Sequence, residues 1–179
     1  MEDLVNSGAH ESGERELGDR EIWGLVQKLA ASLLSREWTM ATAESCTGGW
    51  IAKCCTDLAG SSVWFDRGFV TYSNRAKQEM LGVDATVLET EGAVSEVTAI
   101  AMAQGARQRA GVNVALSVSG IAGPDGGTAD KPVGTVWFGW SLEGQPAVSE
   151  VMQFAGDRDA IRRQTLVHAL GRLEELLGE

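Results

Sequence analysis

With 179 residues, 44% hydrophobic and 22% charged, the chain has an ordinary globular composition and the length of one domain with a single substantial core. A formal net charge of −10 argues against broad electrostatic capture of nucleic acid, which needs Lys and Arg clustered on one face, but leaves room for a small anion held by a few local cations. No run approaches a membrane span and the acidic N-terminus carries no apolar leader segment, so neither membrane insertion nor secretion is indicated and a cytoplasmic protein is expected.

Residues 1–18 are polar, rich in Gly, Ser and Glu, and lack an apolar period, which predicts a loose tail and places the domain over residues 19–179. From Asp19, the spacing of Ile22, Leu25, Val26, Leu29 and Leu33 predicts a helix with one apolar stripe, ending near Arg36. A short strand over Thr39 to Ala43 follows, and helical character resumes from Trp50 to about Leu58. Between them lies Glu44-Ser45-Cys46-Thr47-Gly48-Gly49, a strand-to-helix turn of small polar residues. Such a turn aims backbone N–H groups and the positive end of a helix dipole at whatever sits above it, which suits an anion or a developing oxyanion. Two readings stand here: an active-site turn with Ser45 and Thr47 adding hydroxyls, or a plain N-cap with two glycines for a tight bend.

A second strand is predicted over Arg67 to Tyr72, passing into a helix capped by Asn74, so that Tyr72 and Lys77 can face one pocket. Ser95 is the expected cap of a helix reaching Ala110, and Val112 to Ser119 is an apolar strand by its β-branched content. It empties into Gly120-Ile121-Ala122-Gly123-Pro124-Asp125-Gly126-Gly127, where the backbone can approach a ligand without Cβ interference. The loop has neither the Lys-Ser/Thr ending of a Walker loop nor dinucleotide-fingerprint spacing. A hairpin follows, from Val133-Gly134-Thr135-Val136-Trp137-Phe138-Gly139-Trp140 through Glu143-Gly144-Gln145 to a strand ending near Phe154. A terminal helix opens at Gly156-Asp157-Arg158-Asp159, with Asp157 or Asp159 near its start. Its Arg158, Arg162 and Arg163, taken singly, read best as a solvated face. The order α-β-α-β-α-α-β-β-β-α predicts a single-domain α/β fold: a mixed sheet flanked by helices on both faces, in three layers.

Of the chemistry, a Ser-His-Asp triad is disfavoured, because His10 lies in the tail and His168 deep in the terminal helix. Ser45 with Lys77 or Tyr72 as proton acceptor is the alternative, since a desolvated lysine can lose its proton near neutral pH. Glu44 either hydrogen-bonds a substrate or orients the turn. Cys46 is either a nucleophile or a small packing residue; with Cys54 and Cys55 it makes an odd, clustered set that forms no disulfide framework and no metal site.

Several of these stretches together, Ala43-Glu44-Ser45-Cys46-Thr47-Gly48-Gly49, Thr71-Tyr72-Ser73-Asn74 with Lys77, Gly92-Ala93-Val94-Ser95, Ser119 to Gly127, Lys131-Pro132-Val133-Gly134-Thr135-Val136 and Gly156-Asp157-Arg158, resemble the CinA C-terminal domain family. Its characterised members are nicotinamide mononucleotide deamidases. The resemblance spans about residue 20 to 178 and implies hydrolysis of the carboxamide of nicotinamide mononucleotide to nicotinate mononucleotide and ammonia, in pyridine nucleotide salvage. It implies an α/β homo-oligomer, dimer or higher, acting without metal or other cofactor. Carried over by position, Ser45 is the nucleophile and Tyr72 and Lys77 handle protons, while Gly120, Gly123, Gly126, Gly127 and Arg158 hold the ribose phosphate; Glu44 is kept as a candidate substrate contact from the reading of the turn. The backbone at Thr47 and Gly48 is the expected oxyanion hole, read from the turn itself. Many relatives carry this domain behind a larger N-terminal one, so the other domain's activity is not expected here. The family's name suggests a rival of another class, a non-catalytic nucleotide-binding or regulatory protein of competence or DNA-damage responses. Cys54 and Cys55 stand outside the pattern and read as packing, and Trp64 and Trp137 as core or interface.

Overall fold

A five-stranded sheet organises the chain, and its parallel half is centred on β1 (Met40–Glu44), a strand buried along its whole length. The computed structural model describes the backbone of residues 3–179 and side chains from residue 18 onward; where a loose tail is expected over residues 1–18, the backbone of residues 3–18 is helical and joins the first helix, so the helix expected from Asp19 begins at Asp3. In chain order the elements are α1 (Asp3–Ser35), β1, α2 (Trp50–Asp57), a 3-10 turn at Ser61–Val63, β2 (Phe65–Val70), α3 (Asn74–Leu81), α4 (Ala85–Thr90), α5 (Glu96–Ala110), β3 (Val114–Gly120), β4 (Thr135–Leu142), β5 (Val148–Gln153) and α6 (Arg158–Gly178). The strands lie in the order β2-β1-β3-β4-β5, with β1 parallel to β2 and β3 and the β3–β4 and β4–β5 pairs antiparallel. This is the mixed α/β sheet that the alternating pattern predicts.

Strand alternation sorts the core into two unlike halves. One face presents Met40, Leu116, Val118, Phe138 and Trp140 to the apolar stripes of α1, α2 and α6. The other presents small residues, Ala41, Ala43 and Ala115, to Leu81 of α3, Leu88 of α4 and Met102 and Ala106 of α5. Small residues let α5 lie close: a Cβ on Gly139 would sit 2.5 Å from the Ala99 carbonyl oxygen, and Ser117 Oγ donates to that oxygen at 2.6 Å.

Local departures from the sequence expectation have local causes. α4 is an unexpected third helix between β2 and β3; it is a six-residue element capped by Asp84, too short for periodicity to reveal. Ser73, not Asn74, caps α3, because its Oγ reaches the Ala76 N–H at 3.1 Å while Asn74 already lies inside the helix. Ser95 and Asp157 cap α5 and α6.

The chain passes from β1 to β2 through α2 on one face, then crosses from β2 to β3 through α3, α4 and α5 on the other. The carboxyl ends of β1 and β3 therefore open into a crevice, where sheets of this kind bind ligands. The turn leaving β1 is fixed by Glu44. Its buried carboxylate accepts from Thr42 Oγ1 at 3.2 Å, Thr47 Oγ1 at 2.7 Å, and the N–H groups of Gly49, Ile51 and Ala52 at 3.0, 3.0 and 2.8 Å. Gly49 is the N-cap of α2 and has no side chain to cap with, so Glu44 supplies the missing acceptor from the end of β1. Gly48 and Gly49, at φ of 64° and 97°, give the chain the left-handed path that folds the helix start back over that carboxylate.

Glu44→Gln turns a carboxylate oxygen into an NH₂ facing N–H donors. The expected loss is about 2–4 kcal/mol, or a melting temperature lower by roughly 5–15 °C for a chain of this size, measured by thermal unfolding followed by circular dichroism.

Candidate active site

A cleft of about 290 Å³ lies at the carboxyl ends of the parallel strands. Its lining includes Ser45 and Cys46 from the turn after β1, Tyr72 after β2, Lys77 of α3, Ala93 and Val94 before α5, the segment Ser119 to Gly123 with Asp125 and Gly126 after β3, and Arg158 at the start of α6. The topology thus brings together residues from six separate segments, including Ser45, Tyr72, Lys77 and Arg158.

At its floor, Lys77 Nζ lies 3.1 Å from Ser45 Oγ and donates to the Thr71 carbonyl oxygen at 2.8 Å. Lys77 is only 1% exposed, and burial pushes its ammonium below the ordinary lysine range. The geometry closes on itself. Thr71 N–H donates to the Glu44 carbonyl oxygen at 2.8 Å, and Ser45 N–H donates to Val118 O at 3.1 Å, so β1, β2 and β3 all fix the Ser45–Lys77 pair.

Tyr72 is 62% exposed at the rim, and its hydroxyl accepts from Arg158 Nη2 at 3.0 Å. Arg158 Nη1 donates to the Gly123 carbonyl oxygen at 2.7 Å, so one guanidinium joins the tyrosine to the Gly-rich loop. Arg158 stays exposed, as the solvated-face reading of the terminal-helix arginines expects, but these two bonds fix its guanidinium at the cleft. That loop is pinned at its base, where Ile121 N–H donates to Thr135 O at 2.9 Å and Gly134 N–H to Ile121 O at 2.7 Å. Its glycines divide by function. Gly120, Gly123 and Gly126 line the cleft, whereas Gly127 does not: a Cβ there would meet the Val133 backbone nitrogen at 2.7 Å, so close packing against the strand-entry segment explains it.

Glu44, expected as a substrate contact, lies under the turn with its carboxylate consumed internally and is not part of the cleft lining. Of the backbone groups expected to receive an oxyanion, Gly48 N–H is engaged with the Ser45 carbonyl oxygen at 3.1 Å, while among the described residues the N–H groups of Cys46 and Thr47 donate no backbone hydrogen bond. Thr47 Oγ1 is bound to Glu44 and faces the interior. Cys46 lines the cleft, but burial pushes its thiol up to about 11, leaving it protonated at neutral pH and favouring packing over nucleophilic attack.

Sequence reasoning passed over Ser119 and Arg162. Ser119 Oγ donates to the Ala93 carbonyl oxygen at 2.7 Å and holds the loop before α5 against the cleft. Alternation along β3 could have found it, as a polar residue near the strand end beside the Gly-rich loop. Arg162 donates to the carbonyl oxygens of Cys46 and Thr47 at 3.1 and 2.8 Å, and its placement one turn after Arg158 was the available signal. Arg163 pairs instead with Asp19 at 2.7 Å, tying α6 to α1.

Similarity to known proteins falls on this same framework. The nicotinamide-nucleotide amidohydrolase PncC of Escherichia coli (strain K12) is 52% identical over 155 residues, covering 87% of this chain and 94% of the relative. The protein of that name from Enterobacter agglomerans is 53% identical over 154 residues, covering 86% and 94%. Among solved structures, the competence/damage inducible protein CihA from Agrobacterium tumefaciens superposes with a TM-score of 0.86 at 43% identity, over 89% of this chain and 96% of that one. The family model described as CinA C-terminal domain matches residues 24–177, and the chain belongs to that family.

Proposed function

We propose that this chain hydrolyses the carboxamide of nicotinamide mononucleotide to nicotinate mononucleotide and ammonia, with Ser45 as nucleophile and Lys77 as its proton acceptor. The observation that carries this is the 3.1 Å approach of Lys77 Nζ to Ser45 Oγ in a site where burial favours the neutral amine. Relatives named for this reaction match along nearly their whole length, as given above.

In the first half-reaction Ser45 Oγ attacks the carboxamide carbon and its proton passes to Lys77 Nζ. The carbonyl oxygen becomes an oxyanion beside the N–H groups of Cys46 and Thr47, the amides left free by the turn. Collapse expels ammonia, with the Lys77 proton completing the leaving group, and leaves a nicotinoyl ester on Ser45. Water then attacks the ester, again with Lys77 as acceptor, releasing the acid and restoring the serine hydroxyl. Tyr72, whose hydroxyl meets Arg158 rather than Ser45, serves at the rim, in substrate closure and proton exchange with solvent. Arg158 and the amides of the Gly120 to Gly126 loop are the phosphate-binding elements, a local cation and a cradle within an acidic chain.

The domain responsible is residues 19–179, working as a cytoplasmic homo-oligomer on a small phosphorylated substrate. Supporting this, the net charge is −10 and no helix among the described residues is long and apolar enough to cross a membrane. Val63, Val70 and Met80 offer exposed apolar surface for self-association.

Ammonia release from nicotinamide mononucleotide is the direct test. Ser45→Ala is expected to lower kcat by at least about 10⁴-fold and Lys77→Met by about 10²–10⁴-fold, while release survives chelator and Cys46→Ala. A folded wild type that binds the nucleotide and releases no ammonia would transfer the reading to a binding protein.

Lys77 also sets a pH dependence. Its folded pKa is lowered, so the amine is neutral, and able to accept the serine proton, only above that lowered value. Therefore kcat/KM rises with pH along a limb of unit slope ending below the ordinary lysine pKa, and Lys77→Arg, which stays charged, does not restore it. The same shift makes unfolding harder as pH rises from the folded toward the unfolded pKa, because the unfolded chain binds the extra proton.

Arg158→Ala is expected to raise KM for the mononucleotide roughly 10–100-fold, the worth of one or two charge-assisted hydrogen bonds. The change for the unphosphorylated riboside is expected to be much smaller, as read by steady-state kinetics on both substrates.

A further inference from the structure

We infer that Arg162 is a positioning residue for the reaction, holding the peptide between Cys46 and Thr47, and the carbonyl that follows it, so that the Thr47 N–H faces the developing oxyanion. This deepens the reading of Ser45 as nucleophile and depends on it.

Arg162 projects from α6 one turn beyond Arg158, yet its guanidinium reaches past the cleft to the turn behind it. Nε donates to the Cys46 carbonyl oxygen at 3.1 Å and Nη2 to the Thr47 carbonyl oxygen at 2.8 Å, and its carbon lies 5.2 Å from the ring centroid of Trp50, the first residue of α2. The planar fork thus grips two consecutive carbonyls while stacking on an aromatic face, a combination a lysine ammonium does not reproduce.

The consequence follows from peptide geometry. In a trans peptide the C=O and N–H point in opposite directions. Drawing the Cys46 carbonyl toward α6 therefore sends the Thr47 N–H the other way. The preceding peptide is held likewise: Gly48 N–H takes the Ser45 carbonyl oxygen at 3.1 Å, which sends the Cys46 N–H away from that bond. These are the two amides of the turn that donate no backbone hydrogen bond. A cation on the Cys46 carbonyl also polarises that peptide and strengthens its N–H as a donor. The turn needs such a clamp, because the next two residues are Gly48 and Gly49, for which rotation of the neighbouring peptides meets little steric resistance.

The test compares purified full-length wild type, Arg162→Met and Arg162→Lys, alongside Ser45→Ala. Expected for Arg162→Met is a kcat about 10²-fold lower with KM changed by less than about threefold, an acid limb at the wild-type position because Lys77 keeps its contacts, and only partial recovery in Arg162→Lys. A second readout separates positioning from general loosening: affinity for pyridine-3-boronic acid, whose tetrahedral serine adduct carries an oxygen in the oxyanion position, falls in step with kcat, whereas product affinity does not. Arg162→Met with kcat within about threefold of wild type, or a lower kcat with unchanged boronate affinity, overturns the inference. Where Arg162→Met fails to fold, the same criteria are applied to Arg162→Lys, which keeps the charge but cannot span both carbonyls. Activity retained in Ser45→Ala removes the nucleophile reading itself, an outcome distinct from any Arg162 result.

Discussion

The site depends on one buried anion. Among the described residues no cation pairs with the Glu44 carboxylate; five donors, three of them amides at the start of α2, hold it in place of water. A carboxylate taken out of water is stable only when every lone pair is used and a favourable dipole faces it, and the α2 N-terminus provides both. Its backbone carries the rest: the Glu44 carbonyl takes Thr71 N–H, the Thr71 carbonyl takes Lys77 Nζ, and Lys77 returns to Ser45, the residue after Glu44. Ser45 and Lys77, the proposed nucleophile and base, are thereby registered through the sheet rather than through flexible loops, which is what holding the two at 3.1 Å needs.

Such a dyad would let an acidic protein run serine chemistry through a lysine in place of a histidine. A lysine surrounded by carboxylates would stay charged and could not accept a proton. Here Glu44 is turned away into its own donors, and desolvation dominates at Lys77. The positive charge proposed to meet a phosphate is kept apart, on Arg158 at the rim, where it is tied to Gly123 and Tyr72.

Much of this was readable from residues alone, and the boundary is instructive. The Ser45 turn, Lys77 one turn into α3 and the Gly-rich end of β3 are each marked by local chemistry, and so are the caps at Ser95 and Asp157. What stayed hidden depends on contacts distant in sequence or on the direction of a side chain. Glu44 looks like a substrate ligand until its carboxylate is seen beneath α2. Gly127 looks like part of a cradle until Val133 is found against it, and Arg162 looks solvated until the turn carbonyls come within reach across more than a hundred residues of chain. α4, at six residues, has too little periodicity to separate from a loop.

The unequal faces of the sheet divide how the protein can drift. Against α5, a methyl added at Gly139 or Gly105 strikes the backbone of Ala99 or Leu81, so at these positions that side accepts almost no enlargement. Against α1 and α6 the bulk of Met40, Phe138, Trp140 and the leucine stripes leaves the opposite vulnerability, to truncation and the voids it opens. Divergent members of such a fold can therefore repack one side by trading large residues among themselves, while the side next to the base and its helix stays nearly invariant in volume.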